Sequence, residues 1–141
     1  ALAIYRRDFR PSAQLAKPYA MAGFNIFAAD TREEGELLAS SMMQSFVALR
    51  TGTPGKLPPP VRDYRASLPP QAQAMLANVL SCSAIGTRED VARDLAAFID
   101  RTGVDEVMVT GAMFDPEARK RSIAIAMDAA QSLAMRQPAL A

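Results

Sequence analysis

The stretch that most constrains this chain is Ser81–Phe114, SCSAIGTREDVARDLAAFIDRTGVDEVMVTGAMF. It reads as strand, tight turn, amphipathic helix, turn, strand. Ser81–Ile85 is a run of small and apolar residues with the length of a buried strand. Gly86 permits a sharp exit, Thr87 is a good N-cap, and Asp90 stands where a carboxylate completes a capping box. Val91, Leu95, Phe98 and Ile99 then share one helical face, while Arg88, Glu89, Arg93, Asp94 and Arg101 stay outside it. Gly103 is the expected left-handed stop. Asp105–Gly111 is a second strand, with Val107 and Val109 on one side and Met108 and Thr110 on the other. Two apolar strands joined by such a helix make a βαβ unit, with parallel strands and a right-handed crossover.

The remaining chain repeats that grammar. Ala1–Phe9 is expected to be a helix that stops near Arg10, because Pro11 follows. Tyr19–Ala28 is expected to be a strand, with Ala22, Phe24 and Ile26 on one side. Met21, Gly23, Asn25 and Phe27 lie on the other, where Asn25 is a polar residue at a position that should be buried. Asp30 or Thr31 caps the next helix, with Glu33 and Glu34 each three residues after one of them. Its buried stripe is expected to be Leu37, Leu38, Met42, Phe46 and Leu49, and Gly52 marks its end.

Residues 53–68 break the pattern. The run PGKLPPPVRDYRASLPP has little periodicity, so it is a surface excursion: either a plain linker or a lid on the substrate side. Pro69 and Pro70 open a helix whose Ala72, Met75, Leu76, Val79 and Leu80 share a face. Asp115 and Pro116 form a cap-plus-first-turn pair for a last helix expected to reach about Arg136, with Pro138 closing it. The eight methionines are expected to serve as packing.

Composition limits what chemistry this frame carries. The chain has no histidine, which excludes a Ser-His-Asp triad, a Cys-His pair and the common zinc and non-haem iron sites from its own residues. A single cysteine, Cys82, excludes an internal disulfide and suits a reducing, cytoplasmic setting. A net charge of +1 gives no field for nucleic acid or an anionic membrane. No apolar run approaches the ~20 residues that span a bilayer, and ALAIYRRDF has no signal-peptide pattern.

In parallel α/β sheets, function gathers at the C-terminal strand ends. Here those ends are Asn25–Asp30, Ser83–Thr87 and Thr110–Asp115. Asn25, Ser83 and Thr110 are the polar residues expected there, each of which could equally satisfy nearby backbone. Gly86-Thr87 at a helix start could offer N–H groups to a phosphate, but Glu89 and Asp90 oppose an anion, and no Walker or dinucleotide loop is present.

Three segments carry a resemblance: AGFNIFAADTREEGELL, then SFVALRTGTPGKLPPP, then SAIGTREDVARDLAAFIDRTGVDEVMVTGAMFDPEARKRS. In this order they resemble the C-terminal part of the bacterial luciferase-like monooxygenase family, within its luciferase family oxidoreductase group. The resemblance implies an α/β fold of consecutive parallel βα units, about the last three strands of a (β/α)8 barrel. It implies a reduced flavin, FMN or a deazaflavin, and a small organic substrate. It carries over Asn25, Gly86, Thr87, Thr110 and Phe114 as barrel-lip positions facing flavin or substrate, and it names no catalytic residue. A whole barrel takes about 250 residues, so the family's catalytic half would lie outside this chain, which by itself is expected to be inactive. Three strands cannot close a barrel, so the expected partners are a second copy of the chain or the missing N-terminal part. The alternatives are a non-catalytic self-associating or flavin-sequestering module, and an unrelated small α/β binding domain.

Overall fold

The computed structural model describes residues 1–134. Helix α1 (Leu2–Asp8) leads through an extended segment to strand β1 (Met21–Ala28) and helix α2 (Arg32–Arg50). The proline-rich excursion holds one helical turn, α3 (Tyr64–Ser67), before helix α4 (Pro70–Val79). A 3-10 turn at Leu80–Cys82 delivers the chain to strand β2 (Ser83–Gly86) and helix α5 (Arg88–Thr102). Strand β3 (Glu106–Thr110) and helix α6 (Pro116–Ala134) complete the order. The expected end of α6 at Arg136 and Pro138 lies outside the described residues.

The local signals act as their chemistry dictates. Thr87 Oγ1 accepts from the Asp90 N–H while Asp90 reaches back to the Thr87 N–H, which closes the capping box. Gly103 takes φ 56°, and Asp115 Oδ1 accepts from Glu117 N at 2.9 Å in front of Pro116. Thr31 caps α2 by accepting from Glu34 N, whereas Asp30 turns away to pair with Arg121 of α6. Ser81 and Cys82 belong to the 3-10 turn and not to the strand, which starts two residues later than expected.

All three strands are parallel, in the order β2-β1-β3. Consecutive barrel strands would lie side by side in chain order; here β1 sits in the centre instead. Pairing is divided along its length, because β3 follows Met21–Asn25 and β2 follows Asn25–Ala28. The β1-to-β2 and β2-to-β3 crossovers run in opposite directions across the sheet, so with one hand they put their helices on opposite faces. Accordingly Phe24, Ile26, Ala28 and Ala84 pack under α5 and α6, against Val91, Leu95, Phe98, Ala126 and Ala129. Phe27 and Ile85 point the other way, toward Ala39, Met42, Met43 and Leu76 of α2 and α4. Gly35 brings α2 close, since a Cβ there would stand 2.6 Å from the Gly86 nitrogen and 2.8 Å from the Phe27 carbonyl oxygen.

That second cover is incomplete. Met21 is 49% exposed and Met108 57% exposed, on a sheet face that no helix covers at its N-terminal half. Burial at Asn25 is only partial for the same reason. Packing therefore accounts for Met42, Met43 and Met113, but not for Met21, Met108 or the half-exposed Met127. Leu49 of α2 and Ile123 of α6 likewise face outward. None of the helices among the described residues is long and apolar enough to cross a membrane.

Candidate functional site

Strand pairing brings Ser83, Asn25 and Thr110 into one row. Only Thr110 ends its strand: Asn25 lies midway along β1, and Ser83 opens β2 and does not stand near its C-terminal end as expected. Asn25 is the Cα partner of Ser83 on one flank and of Thr110 on the other. Odd-numbered positions of β1 share a face with the even-numbered positions of β3, so Asn25 and Thr110 lie beside Met21, Gly23 and Met108 on the incompletely covered side. Thr110 is exposed and Asn25 half-buried. The Ser83 hydroxyl is shut away from solvent with no hydrogen-bond partner among the described residues. The accessible Asn25 and Thr110 side chains can meet a ligand's polar atoms, whereas the Ser83 hydroxyl is sealed off from them. Phe114 follows β3 and is 51% exposed, which adds an aromatic surface at the same end.

Gly86 and Thr87 are engaged differently. Gly86 has φ +131°, and the space where a Cβ would go is filled by the Asp90 carboxylate. Both the N–H and the hydroxyl of Thr87 are directed to Asp90 Oδ2, at 3.1 and 3.3 Å. A carboxylate thus already takes the Thr87 N–H that a phosphate would need. The Asp90 acid is held below the usual carboxylate range, first by the Arg93 side chain, then by the Thr87 backbone N–H, with Arg32 adding attraction.

The helix starts around this rim are tied to one another. Arg32 of α2 reaches Asp90 of α5 at 3.2 Å, Arg88 of α5 pairs with Asp128 of α6, and Arg121 of α6 pairs with Asp30 after β1. Beneath them the buried Ser122 hydroxyl accepts from the Ala28 backbone N–H at 2.8 Å. Exposed ion pairs contribute little each, but three of them tie the starts of α2 and α5 and the loop after β1 to one another and to α6. Sequence reading misses Ser122, because a serine inside a helix carries no local sign of a partner 94 residues away.

The same reading leaves the excursion open between linker and wall. Here it is a wall. Gln44 Nε2 donates to the Pro59 carbonyl at 2.8 Å, Val61 N donates to Ser40 Oγ at 2.8 Å, and Tyr64 and Leu68 pack on the core of α2 and α4. A cleft of about 520 Å³ lies between this wall and the first half of α2. Among the described residues no group of His, Cys, Asp and Glu is placed to hold a metal ion.

This geometry has counterparts in known proteins. A luciferase-like monooxygenase of Escherichia coli (strain K12) is 43% identical over 133 residues, covering 94% of this chain and 40% of that protein. The uncharacterized protein YvbT of Bacillus subtilis (strain 168) is 42% identical over 128 residues, covering 91% of this chain and 38% of its own length. The crystal structure of apo-MsnO8 superimposes with a TM-score of 0.70 at 20% identity, over 92% of this chain and 40% of that one. No protein-family model matches the chain. The chain spans about 40% of the length of the curated relatives first matched, and its fold recurs as part of a larger structure.

Proposed function

Starting from a chain whose sequence corresponds to a segment of luciferase-like monooxygenases, we propose that the whole protein is a flavin-dependent monooxygenase acting on a small organic molecule. In this reading the chain is the C-terminal part of a (β/α)8 barrel. β1 and β3 are neighbouring barrel strands, and the face carrying Met21, Gly23, Met108 and Thr110 looks into the barrel. β2 is then a short added strand along the C-terminal half of β1.

The observation that carries the proposal is the register of Asn25 with Thr110 on a sheet face left bare of helices. A flat apolar surface with polar side chains at its C-terminal end suits the ring of a flavin, which needs stacking area and hydrogen bonds at its edge. Bound reduced flavin, FMN or a deazaflavin, would supply the electrons that activate dioxygen. Asn25, Thr110 and Phe114 would orient the ring or the substrate and exclude water from one side. Gly86 and Thr87 suit a supporting part better, because Asp90 occupies the donors of Thr87 and fills the space beside Gly86; the flavin phosphate is then held by residues outside this chain.

Titrating the full-length protein with FMN, read by quenching of flavin fluorescence, tests the reading. Asn25→Ala and Thr110→Ala are each expected to weaken binding about tenfold, the equivalent of one lost hydrogen bond of about 1.4 kcal/mol. Binding that is absent, or unchanged in both variants, would refute it.

A second reading is favoured by the exposure of Met21 and Met108. Apolar side chains grouped on an uncovered sheet face invite association with a second copy of the chain. Sedimentation of the 141-residue chain across a dilution series decides this, since a dilution-stable monomer excludes it.

A further inference from the structure

The cleft between α2 and the proline-rich wall has a charge arrangement that the flavin reading does not use. Glu33 and Glu36 stand one helical turn apart on α2, so they share a face. Arg62 and Arg65 line the opposing wall at the entry to α3. Carboxylates and guanidiniums thus face the same space, yet none of these four enters an ion pair with another among the described residues. The wall cannot simply close to join them. It is pinned at Pro59 by Gln44, at Val61 by Ser40, and beyond α3 by the Gln73 amide on the Leu68 carbonyl at 2.8 Å. Between the two anchored sides, the partly exposed Leu37 and the Tyr64 ring give the cleft an apolar part. Asp63, also at the cleft, is held at φ 53° between the two arginines, a left-handed conformation that a non-glycine residue adopts at a cost.

We propose that this cleft binds a small zwitterion with an apolar body, an α-amino acid with a branched or thioether side chain. Its carboxylate pairs with Arg62 and Arg65, its ammonium with Glu33 and Glu36, and its side chain lies on Leu37 and Tyr64. A volume of about 520 Å³ falls in the range of small-molecule sites and admits such a ligand with water. Both charges of the ligand are needed. A simple acid would leave Glu33 and Glu36, with Asp63 beside them, facing its own anion, and a simple amine would face two guanidiniums. The site lies apart from the Asn25–Thr110 row, so it stands or falls independently of the flavin reading.

The test is isothermal titration of the full-length protein with L-leucine and L-methionine, alongside 4-methylpentanoic acid and 3-methylbutylamine as single-charge controls. Saturable binding of the amino acids is expected, with each control weaker by roughly tenfold or more, the loss of one charge-assisted contact. Arg65→Gln and Glu36→Gln are each expected to weaken L-leucine binding by about the same factor. Both change side chains at the cleft rim, and a circular dichroism spectrum matching the parent shows that they fold. FMN titration of the same variants should be unaltered. No heat from either amino acid, equal binding of a single-charge control, or unchanged affinity in both variants would overturn the proposal. Loss of FMN binding with retention of L-leucine binding would bear on the flavin reading alone.

Discussion

The Ser122 hydroxyl takes the backbone N–H of Ala28 at 2.8 Å, and both residues are almost fully buried. β3 pairs with β1 only as far as Asn25, so the N–H of Ala28 needs an acceptor from elsewhere, and α6 provides it. A buried amide left without a partner costs about 1–3 kcal/mol. Ser122→Ala is therefore expected to lower the stability of the protein by that amount. A shift in the urea midpoint with an unchanged slope would show it, and a midpoint equal to the parent would contradict the account.

Close approach of α2 to the sheet predicts a contrast between two glycines. A methyl group at Gly35 would press on the Gly86 backbone and the Phe27 carbonyl, whereas one at Gly55 would meet nothing within 4 Å. Gly35→Ala is expected to cost about 1–3 kcal/mol, the usual penalty of overpacking. Gly55→Ala should stay within about 0.5 kcal/mol. Thermal melts of the two variants provide the comparison, and equal melting temperatures would sink it.

Asp90 should shape the acid limb of stability. Its acid is lowered from an ordinary value of 3.8 by Arg93, the Thr87 N–H and Arg32. A lowered native pKa means that the unfolded chain binds its proton first as pH falls. The contribution is complete above the unfolded value and fades as pH drops through the native one. The stability difference between the parent and Asp90→Asn should therefore be constant near neutrality and shrink below about pH 4. Denaturant unfolding at pH 7 and pH 3 measures both ends; a difference of equal size at the two would show that the charge of Asp90 is not what matters.

Two exposed methionines distinguish a bare surface from a covered one. Met108 is 57% exposed on the open sheet face, and Met127 is 51% exposed on α6. If the remainder of a barrel closes over the sheet, Met108→Lys buries an unpaired charge in the full-length protein and costs on the order of 3 kcal/mol or more. Met127→Lys should remain within about 0.5 kcal/mol. Equal, small effects would mean that no further layer covers Met108.

Sequence by itself determined the main strands and helices and several of their ends, though not the start of β2 or the α3 turn. The Thr87–Asp90 capping box, the left-handed Gly103, the Asp115-Pro116 start of α6 and the alternation of Val107 and Val109 against Met108 and Thr110 are all set by neighbours within a few residues. Such signals depend on local backbone geometry, so they can be read without a fold. Of the polar residues expected near C-terminal strand ends, Thr110 stands there, whereas Ser83 opens β2 and Asn25 lies midway along β1. Only the tertiary structure decided that Asn25 stands between Ser83 and Thr110, that β1 is central, and that Asp90 uses up the donors of Thr87. It also decided that Asp30 turns to Arg121 while Ser122 completes the β1 ladder. Strand order and these cross-links depend on which distant edges and side chains meet once the helices have taken their faces. Residue spacing holds no record of that, because pairs about 90 residues apart are brought together by packing and not by periodicity.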